Sequence, residues 1–338
     1  KDDLLAGRTP RAKGDGLTVA DLANHFLTFK QELRDSGELA PRSYDEYHAT
    51  CEMVVGAFGR NRLVDDLAAD DFQALRARFA KRFGPVRLGN SIQRVRSLFK
   101  YGYEAGLIDK PPRFGPGFKK PSAKTIRKSR AANGPRMFQA DELRRLLDHA
   151  TPNMRAMILL GVNGGLGNTD VAELTTNVAD TSRGWFNYPR PKTGIERRIP
   201  LWPETIEAID KALAARPAPK EPADVSLTFI GRRGQNYIGN HKGYRVHQEF
   251  ARVAEKAGVE GRSFYDLRRT FQTIAEGARD LVAVQAIMGQ APSSGDMSAI
   301  YRQRVDDERL RAAVEHVRRW LFASGDTEDV QSNVSADE

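Results

Sequence analysis

Between Lys110 and Arg136 the chain carries nine lysines and arginines and no acidic residue. Pro111, Pro112, Pro116, Pro121 and Pro135 fall in the same stretch. Each proline fixes its own φ, restricts the residue before it and removes a backbone donor, so no continuous helix or central strand can run through residues 109–137. The stretch divides the 338-residue chain in two and reads as a basic interdomain linker. Nine cations without one acid also favour contact with phosphates, through Lys119, Lys120, Lys124, Arg127 and Lys128 above all.

On both sides of this divide the apolar spacing is mostly helical. Leu17, Val19, Leu22, Phe26 and Phe29 mark an amphipathic helix, with Thr18 and Asp21 as the opening of a capping box. Further helices are expected over about 42–58, ended by Gly59, from Ala69 to Phe83-Gly84, and over 88–105. Residues 17–108 then form a helical domain behind a basic lead-in, residues 1–16. Residues 138–322 open with a helix from Gln139 that sets Leu143, Leu146 and Leu147 on one side, followed by a helix over 154–162. A short β region follows: 184–188, a turn through Lys192-Thr193-Gly194, then 195–201. Pro203 stands at N1 of a helix reaching about Ala215, and 227–230 is expected as another short strand. The remainder reads as helices over about 242–257, 265–277, 280–288, 297–304 and 306–322, before an acidic tail at 323–338. The expected fold class is mainly α: a helical domain, then an α+β domain with a small antiparallel sheet.

Charge and composition narrow the function. The net charge is +9, and +14 once the acidic last 17 residues are set aside. Such a surplus points to a polyanionic partner, nucleic acid first. No run of 18 apolar residues is present and residues 1–16 lack an apolar h-region, so neither a membrane span nor a signal peptide is expected. The lone cysteine, Cys51, rules out an internal disulfide and suits a reducing, cytoplasmic setting; its apolar neighbours mark it as a packing residue. The six histidines show no paired-ligand spacing, so no metal is expected; His316 and Trp320 read as packing residues.

The sharpest constellation lies near the carboxyl end. Phe264-Tyr265-Asp266-Leu267-Arg268-Arg269-Thr270-Phe271 is followed by Ile287-Met288-Gly289-Gln290 and then by Ile300-Tyr301-Arg302. Upstream stands Pro189-Arg190-Pro191-Lys192-Thr193-Gly194, leading into Ile199-Pro200-Leu201. In order and spacing these segments resemble the tyrosine recombinase (phage integrase) family over about residues 17–322. The resemblance implies that Arg268 is the arginine of a His-x-x-Arg box, Gly289 the glycine of a Leu-Gly-His turn, Lys192 the hairpin lysine and Tyr301 the nucleophile. It also implies a two-domain clamp around double-stranded DNA, a homo-tetramer on DNA in the nucleoid, and no cofactor or small-molecule substrate. The helix over 306–322, with Leu310, Val314, Val317, Trp320 and Leu321, is the candidate contact to a neighbouring protomer.

The implied chemistry suits these residue types. A tyrosine hydroxyl can attack a phosphodiester and hold the strand end covalently, which splits one hard step into two. Arginine offers forked, permanently charged donors to the charge that builds on the phosphate, as Arg268 and Arg190 would. A lysine on a hairpin, Lys192, can protonate the leaving 5′-oxygen.

The departures are equally specific. The family's Gly-Leu-Arg-x-x-Glu-Leu segment reads Gly165-Leu166-Gly167-Asn168-Thr169-Asp170-Val171-Ala172-Glu173-Leu174. Aligned from the left, the arginine position holds Gly167; aligned from the right, Asp170. Tyr265 replaces the box histidine and Gln290 the turn histidine, each still able to donate a hydrogen bond. Asn168 is a substitute for the missing arginine or else a helix cap, and Arg155, Arg190 or Arg269 is a further source of the lost charge. Two alternatives therefore stand beside a recombinase cutting through a 3′-phosphotyrosyl intermediate: a catalytically impaired DNA-binding relative and a type IB topoisomerase-like enzyme.

Overall fold

The computed structural model describes residues 16–178, 181–239, 244–292 and 295–323, with Tyr244 by its backbone alone. Residues 1–15 of the lead-in, the tail from 324 onward and the expected helix start at Lys242 lie outside the described residues. The chain divides between Gly134 and Pro135 into two compact units.

In the first unit, α1 (Val19–Asp35) opens with the reciprocal cap that its sequence announces. Thr18 accepts from the Asp21 N–H, and the Asp21 carboxylate accepts from the Thr18 N–H. Helix α2 (Pro41–Phe58) stops where Gly59 takes a φ of 96°. Helices α3 (Ala69–Arg82) and α4 (Pro85–Glu104) complete the four expected elements. The core gathers on Phe72, whose ring meets Phe58, Phe99, Phe114 and Phe118. Cys51 is buried, and burial pushes its thiol up to about 12.

The proline-rich stretch carries structure that its composition hides. Phe118 is buried in this core, and its carbonyl accepts from Arg96 at 2.6 Å. The Lys119 carbonyl accepts from Arg76 at 3.0 Å. Residues Ala123–Ala132 form α5, opened by Ser122, whose hydroxyl accepts from the Thr125 N–H. No residue of α5 is buried, and Lys119, Lys120, Lys124, Arg127 and Lys128 are all exposed.

The second unit begins with α6 (Ala140–His149), which buries Leu143, Leu146 and Leu147. Helix α7 (Pro152–Gly164) is apolar on nearly every side and lies at the centre of the core. A single-turn α8 (Asn168–Ala172) leads to the hairpin of β1 (Trp185–Asn187) and β2 (Arg198–Pro200), antiparallel with Phe186 opposite Ile199. The ladder is shorter than the sequence suggests, yet two further backbone bonds extend the hairpin: Tyr188 N–H to Arg197 and Arg190 N–H to Ile195. Asn163 of α7 pins its far end. It donates to the Pro200 carbonyl and accepts from the Trp202 N–H and the Thr205 hydroxyl, each at 3.0 Å.

Helices α9 (Pro203–Ala214), α10 (Tyr244–Lys256), α11 (Phe264–Ala275), α12 (Leu281–Met288), α13 (Ser298–Tyr301) and α14 (Asp307–Phe322) follow. Three expectations are corrected. Residues 227–230 do not form a strand: Leu227 bridges to Thr175 and Ile230 to Asn236, separate partners that build no ladder. The helix expected over 297–304 is a single turn. The apolar face of α14 is already taken by its own unit, where Leu310, Val314, Val317 and Leu321 are buried and Trp320 packs against the core. It is therefore not a free contact face for a neighbour. Among the described residues no helix is long and apolar enough to cross a membrane, and no group of three His, Cys, Asp or Glu is placed to hold a metal.

Candidate active site

Arg268 is held by two helix ends. Helix α7 stops at Gly165, left-handed at φ 67°, and the Gly165 carbonyl accepts from Arg268 Nη1 at 2.6 Å. Helix α12 stops at Gly289, φ 58°, and the Met288 carbonyl accepts from Arg268 Nη2 at 2.9 Å. Gly161 lets α11 come this close to α7, since a Cβ there would stand 2.9 Å from Leu267 Cδ1. Carbonyl ends of helices carry partial negative charge, so the site holds a guanidinium without spending a carboxylate on it. Arg268 is 4% exposed. Burial first, then the Arg190 charge, lowers its pKa to about 10, against a smaller opposing pull from Asp170, and it remains a cation at neutral pH.

Two more guanidinium groups come to the same turn. Arg190 Nη1 donates to the Gly289 carbonyl at 3.3 Å, and the Thr193 hydroxyl reaches that oxygen at the same distance. Arg197 is fully buried. Its Nε donates to the Tyr188 carbonyl at 2.9 Å, its Nη1 to Asp170 Oδ2 at 3.3 Å, and its guanidinium lies 5.0 Å from the Tyr188 ring centroid. Among the described residues its Nη2 has no partner. Burial lowers the pKa of Arg197, with Asp170 opposing. Gly289 is required on both conformational and steric grounds: a Cβ there would lie 2.8 Å from Cγ and Cδ of Arg197 and 3.0 Å from the Arg190 Cβ.

Beside this cluster opens a cleft of about 550 Å³, lined by Arg136, Tyr265, Arg268, Arg269, Gln272, Met288 and Gln290 among others. Tyr265 is exposed on its wall, not packed in the core, with the Arg269 guanidinium 5.4 Å from its ring. Arg269 pairs with Asp266 at 2.6 Å. Gln290 donates through Nε2 to Gln272 Oε1 at 2.6 Å, and Gln272 donates to Glu276 at 2.7 Å. In this arrangement the Gln290 donor is already committed to its neighbour.

The structure thus brings Arg268, Arg190, Tyr265 and Gln290 together. It does not bring Tyr301 or Lys192 to them. Tyr301 closes α13, is 77% exposed and does not line the cleft. Lys192 is exposed at the hairpin tip. Asn168 is the first residue of α8 and not its cap: Gly167 takes that place, and the Asp170 carboxylate returns to the Gly167 N–H at 2.8 Å. Of the other arginines weighed as replacements, Arg155 donates to the Leu147 carbonyl at 2.8 Å, at the end of α6. Arg197 and Arg136 escape the sequence reading. Strand alternation does set Arg197 and Arg198 on opposite faces, but it does not say which face is the site.

Comparison with known proteins agrees with this layout. A model of the family described as phage integrase matches residues 136–308. No curated protein matches the chain. Among solved structures, a lambda integrase dimer bound to a COC′ core site is 14% identical, with a TM-score of 0.61 over 86% of this chain and 100% of that one. A lambda integrase tetramer bound to a Holliday junction is 13% identical, with a TM-score of 0.60 over 90% and 87%. The Tn1549 transposon integrase in complex with a circular intermediate DNA is 16% identical, with a TM-score of 0.62 over 89% and 99%. At such identities the likeness establishes a shared fold.

Proposed function

The chain belongs to the phage integrase family, and we propose that it cuts and rejoins double-stranded DNA through a 3′-phosphotyrosyl intermediate on Tyr301. The observation that carries this reading is the buried Arg268 guanidinium held by the ends of α7 and α12, with Arg190 and Arg197 at the same turn, beside a cleft of a volume that admits a phosphodiester. Fixed donors of this kind stabilise charge as it develops on non-bridging oxygens, because they need no reorganisation when the reaction occurs. In the proposed cycle the Tyr301 oxygen attacks the scissile phosphorus as its proton passes to water, which the exposed phenol can reach. The bond to the 5′-oxygen breaks, and Lys192 protonates that leaving oxygen. The bond to the enzyme conserves the energy of the broken one, so reversal of the step rejoins a strand without ATP. Tyr265 hydrogen-bonds the phosphate from the cleft wall.

Tyr301 and Lys192 both stand exposed, so closure onto DNA has to deliver them to Arg268. The lambda and Tn1549 integrases are held on DNA in their structures, and the lambda enzyme also assembles as a tetramer on a Holliday junction. These relatives support duplex DNA as the partner and a tetramer as the working state. The exposed cations at Lys119, Lys120, Lys124, Arg127 and Lys128 supply backbone contacts.

A second reading, DNA binding without strand transfer, is favoured by one observation: Gly167 supplies no cation where the family motif has arginine. The two readings separate on duplexes selected by the protein from a randomised pool and then nicked beside the cleavage point. The recombinase reading predicts a covalent adduct that withstands denaturation and is lost in Tyr301→Phe. Tight binding with no adduct assigns the chain to the second reading. Relaxation of supercoiled plasmid with no site requirement would instead mark a topoisomerase.

A further inference from the structure

We propose that Arg197 supplies the charge that Gly167 lacks, stabilising the charge of the scissile phosphate from beneath the Met288–Gly289 turn. The proposal rests on the strand-transfer reading and adds a residue to it.

Three observations lead to it. The first is an imbalance at Arg197 itself. The side chain is fully buried, yet among the described residues Nη2 has no partner. A buried donor left unmade is costly, so an arginine serving structure alone is expected to pair all its nitrogens. Nε and Nη1 already join the hairpin to α8 through Tyr188 and Asp170. The spare nitrogen is surplus to that task.

The second is charge. Arg190, Arg197 and Arg268 converge on one turn, and the carboxylate paired there with Arg197 is Asp170, whose Oδ2 also serves the Gly167 N–H. Like charges brought together, two of them buried, are costly unless an anion joins them. A phosphodiester is an anion of the right size and geometry for guanidinium forks.

The third is position. A Cβ on residue 167 would stand 3.6 Å from Asp170 Oδ2, the oxygen that Arg197 Nη1 approaches at 3.3 Å. Arg197 therefore comes, from the hairpin, to the carboxylate beside which a side chain on residue 167 would begin. Its stem lies directly under Gly289, between the cleft-lining Met288 and Gln290. The glycine at position 289 leaves room for this approach.

The test separates charge from packing. Single-turnover adduct formation is measured on nicked duplexes selected from a randomised pool, with the scissile phosphate either natural or replaced by an uncharged methylphosphonate. Arg197→Met is expected to slow the natural substrate about a hundred- to thousandfold, the scale for losing one transition-state donor. On the methylphosphonate the variant and the parent are expected to agree within about threefold, since no charge is left to neutralise. Arg197→Lys, which keeps the charge but not the fork, is expected to be faster than Arg197→Met on the natural substrate and slower than the parent. Equal slowing on both substrates would make Arg197 a packing residue and overturn the proposal, as would no slowing on either. If Arg197→Met does not fold, the double variant with Asp170→Asn, which strands no buried charge, carries the comparison. If the parent forms no adduct at all, the strand-transfer reading fails by itself. Inorganic phosphate then decides on Arg197: a rise in melting temperature in the parent but not in the variant sustains the anion site, and equal shifts overturn it.

Discussion

Replacing Gly289 by alanine presses on the site from the side of Arg190 and Arg197. Two costs follow from the structure. Gly289 has a φ of 58°, where an L side chain costs about 1–2 kcal/mol. The new methyl would also stand 2.8 Å from two stem carbons of Arg197 and 3.0 Å from the Arg190 Cβ. Arg197 is fully buried and cannot swing into solvent, so this overpacking adds about 1–3 kcal/mol. Together they amount to about 2–5 kcal/mol, which lowers the melting temperature by about 4–20 °C in a unit of this size. Gly258→Ala is the control. Gly258 has a φ of 65° but nothing within 4 Å of its virtual Cβ, so it incurs only the backbone cost. Differential scanning calorimetry reads both, and adduct formation is assayed where both variants are folded. Gly289→Ala should lose more stability than Gly258→Ala and should also slow adduct formation at least about tenfold, while the control reacts normally. Equal destabilisation, or an unimpaired Gly289→Ala, would refute the claim that this glycine exists to let the two arginines reach the turn.

Other expectations are more local. DNA affinity should fall steeply with salt, and neutralising Lys119, Lys120, Lys124, Arg127 and Lys128 together should flatten the log–log slope by about 0.9 for each phosphate that these cations pair with; an unchanged slope removes them from the interface. Asn163→Ala strands the Pro200 carbonyl and the Trp202 N–H in the core, so chemical denaturation should show a loss of at least about 2 kcal/mol. Asp280 caps α12 and pairs with Arg309, which holds its carboxyl below the usual carboxylate range. A lowered folded pKa stabilises above the unfolded value and ceases to do so as pH falls through the folded one. Asp280→Asn, which keeps the cap, should therefore cost at most about 1 kcal/mol near neutrality, and the gap to the parent should close in acid unfolding curves.

Most helices are legible in the sequence because their signals are local. Thr18 with Asp21, Pro203 at N1 and the stops at Gly59 and Gly289 act within a turn of where they stand. Helix α5 is hidden because Ala123–Ala132 offers almost no apolar period, and its cap at Ser122 lies among prolines. The strand expected at 227–230 fails because β pairing depends on what lies opposite, and Thr175 and Asn236 cannot be read from 227–230. The same holds for the site. The box around Arg268 is visible as a motif, but Arg197 is not, since its burial depends on Asp170, Tyr188 and the bare backbone of Gly289. Residues far apart in the chain bring three guanidinium groups to one turn, and no spacing rule announces that.

The central claim is that the phenolic oxygen of Tyr301 becomes bonded to DNA. Digesting the trapped adduct with protease and nuclease, then sequencing the nucleotide-bearing peptide by mass spectrometry, tests it directly. A 3′-linked nucleotide on Tyr301 is expected. A nucleotide on Tyr265 or any other residue, or a 5′ linkage, would contradict it.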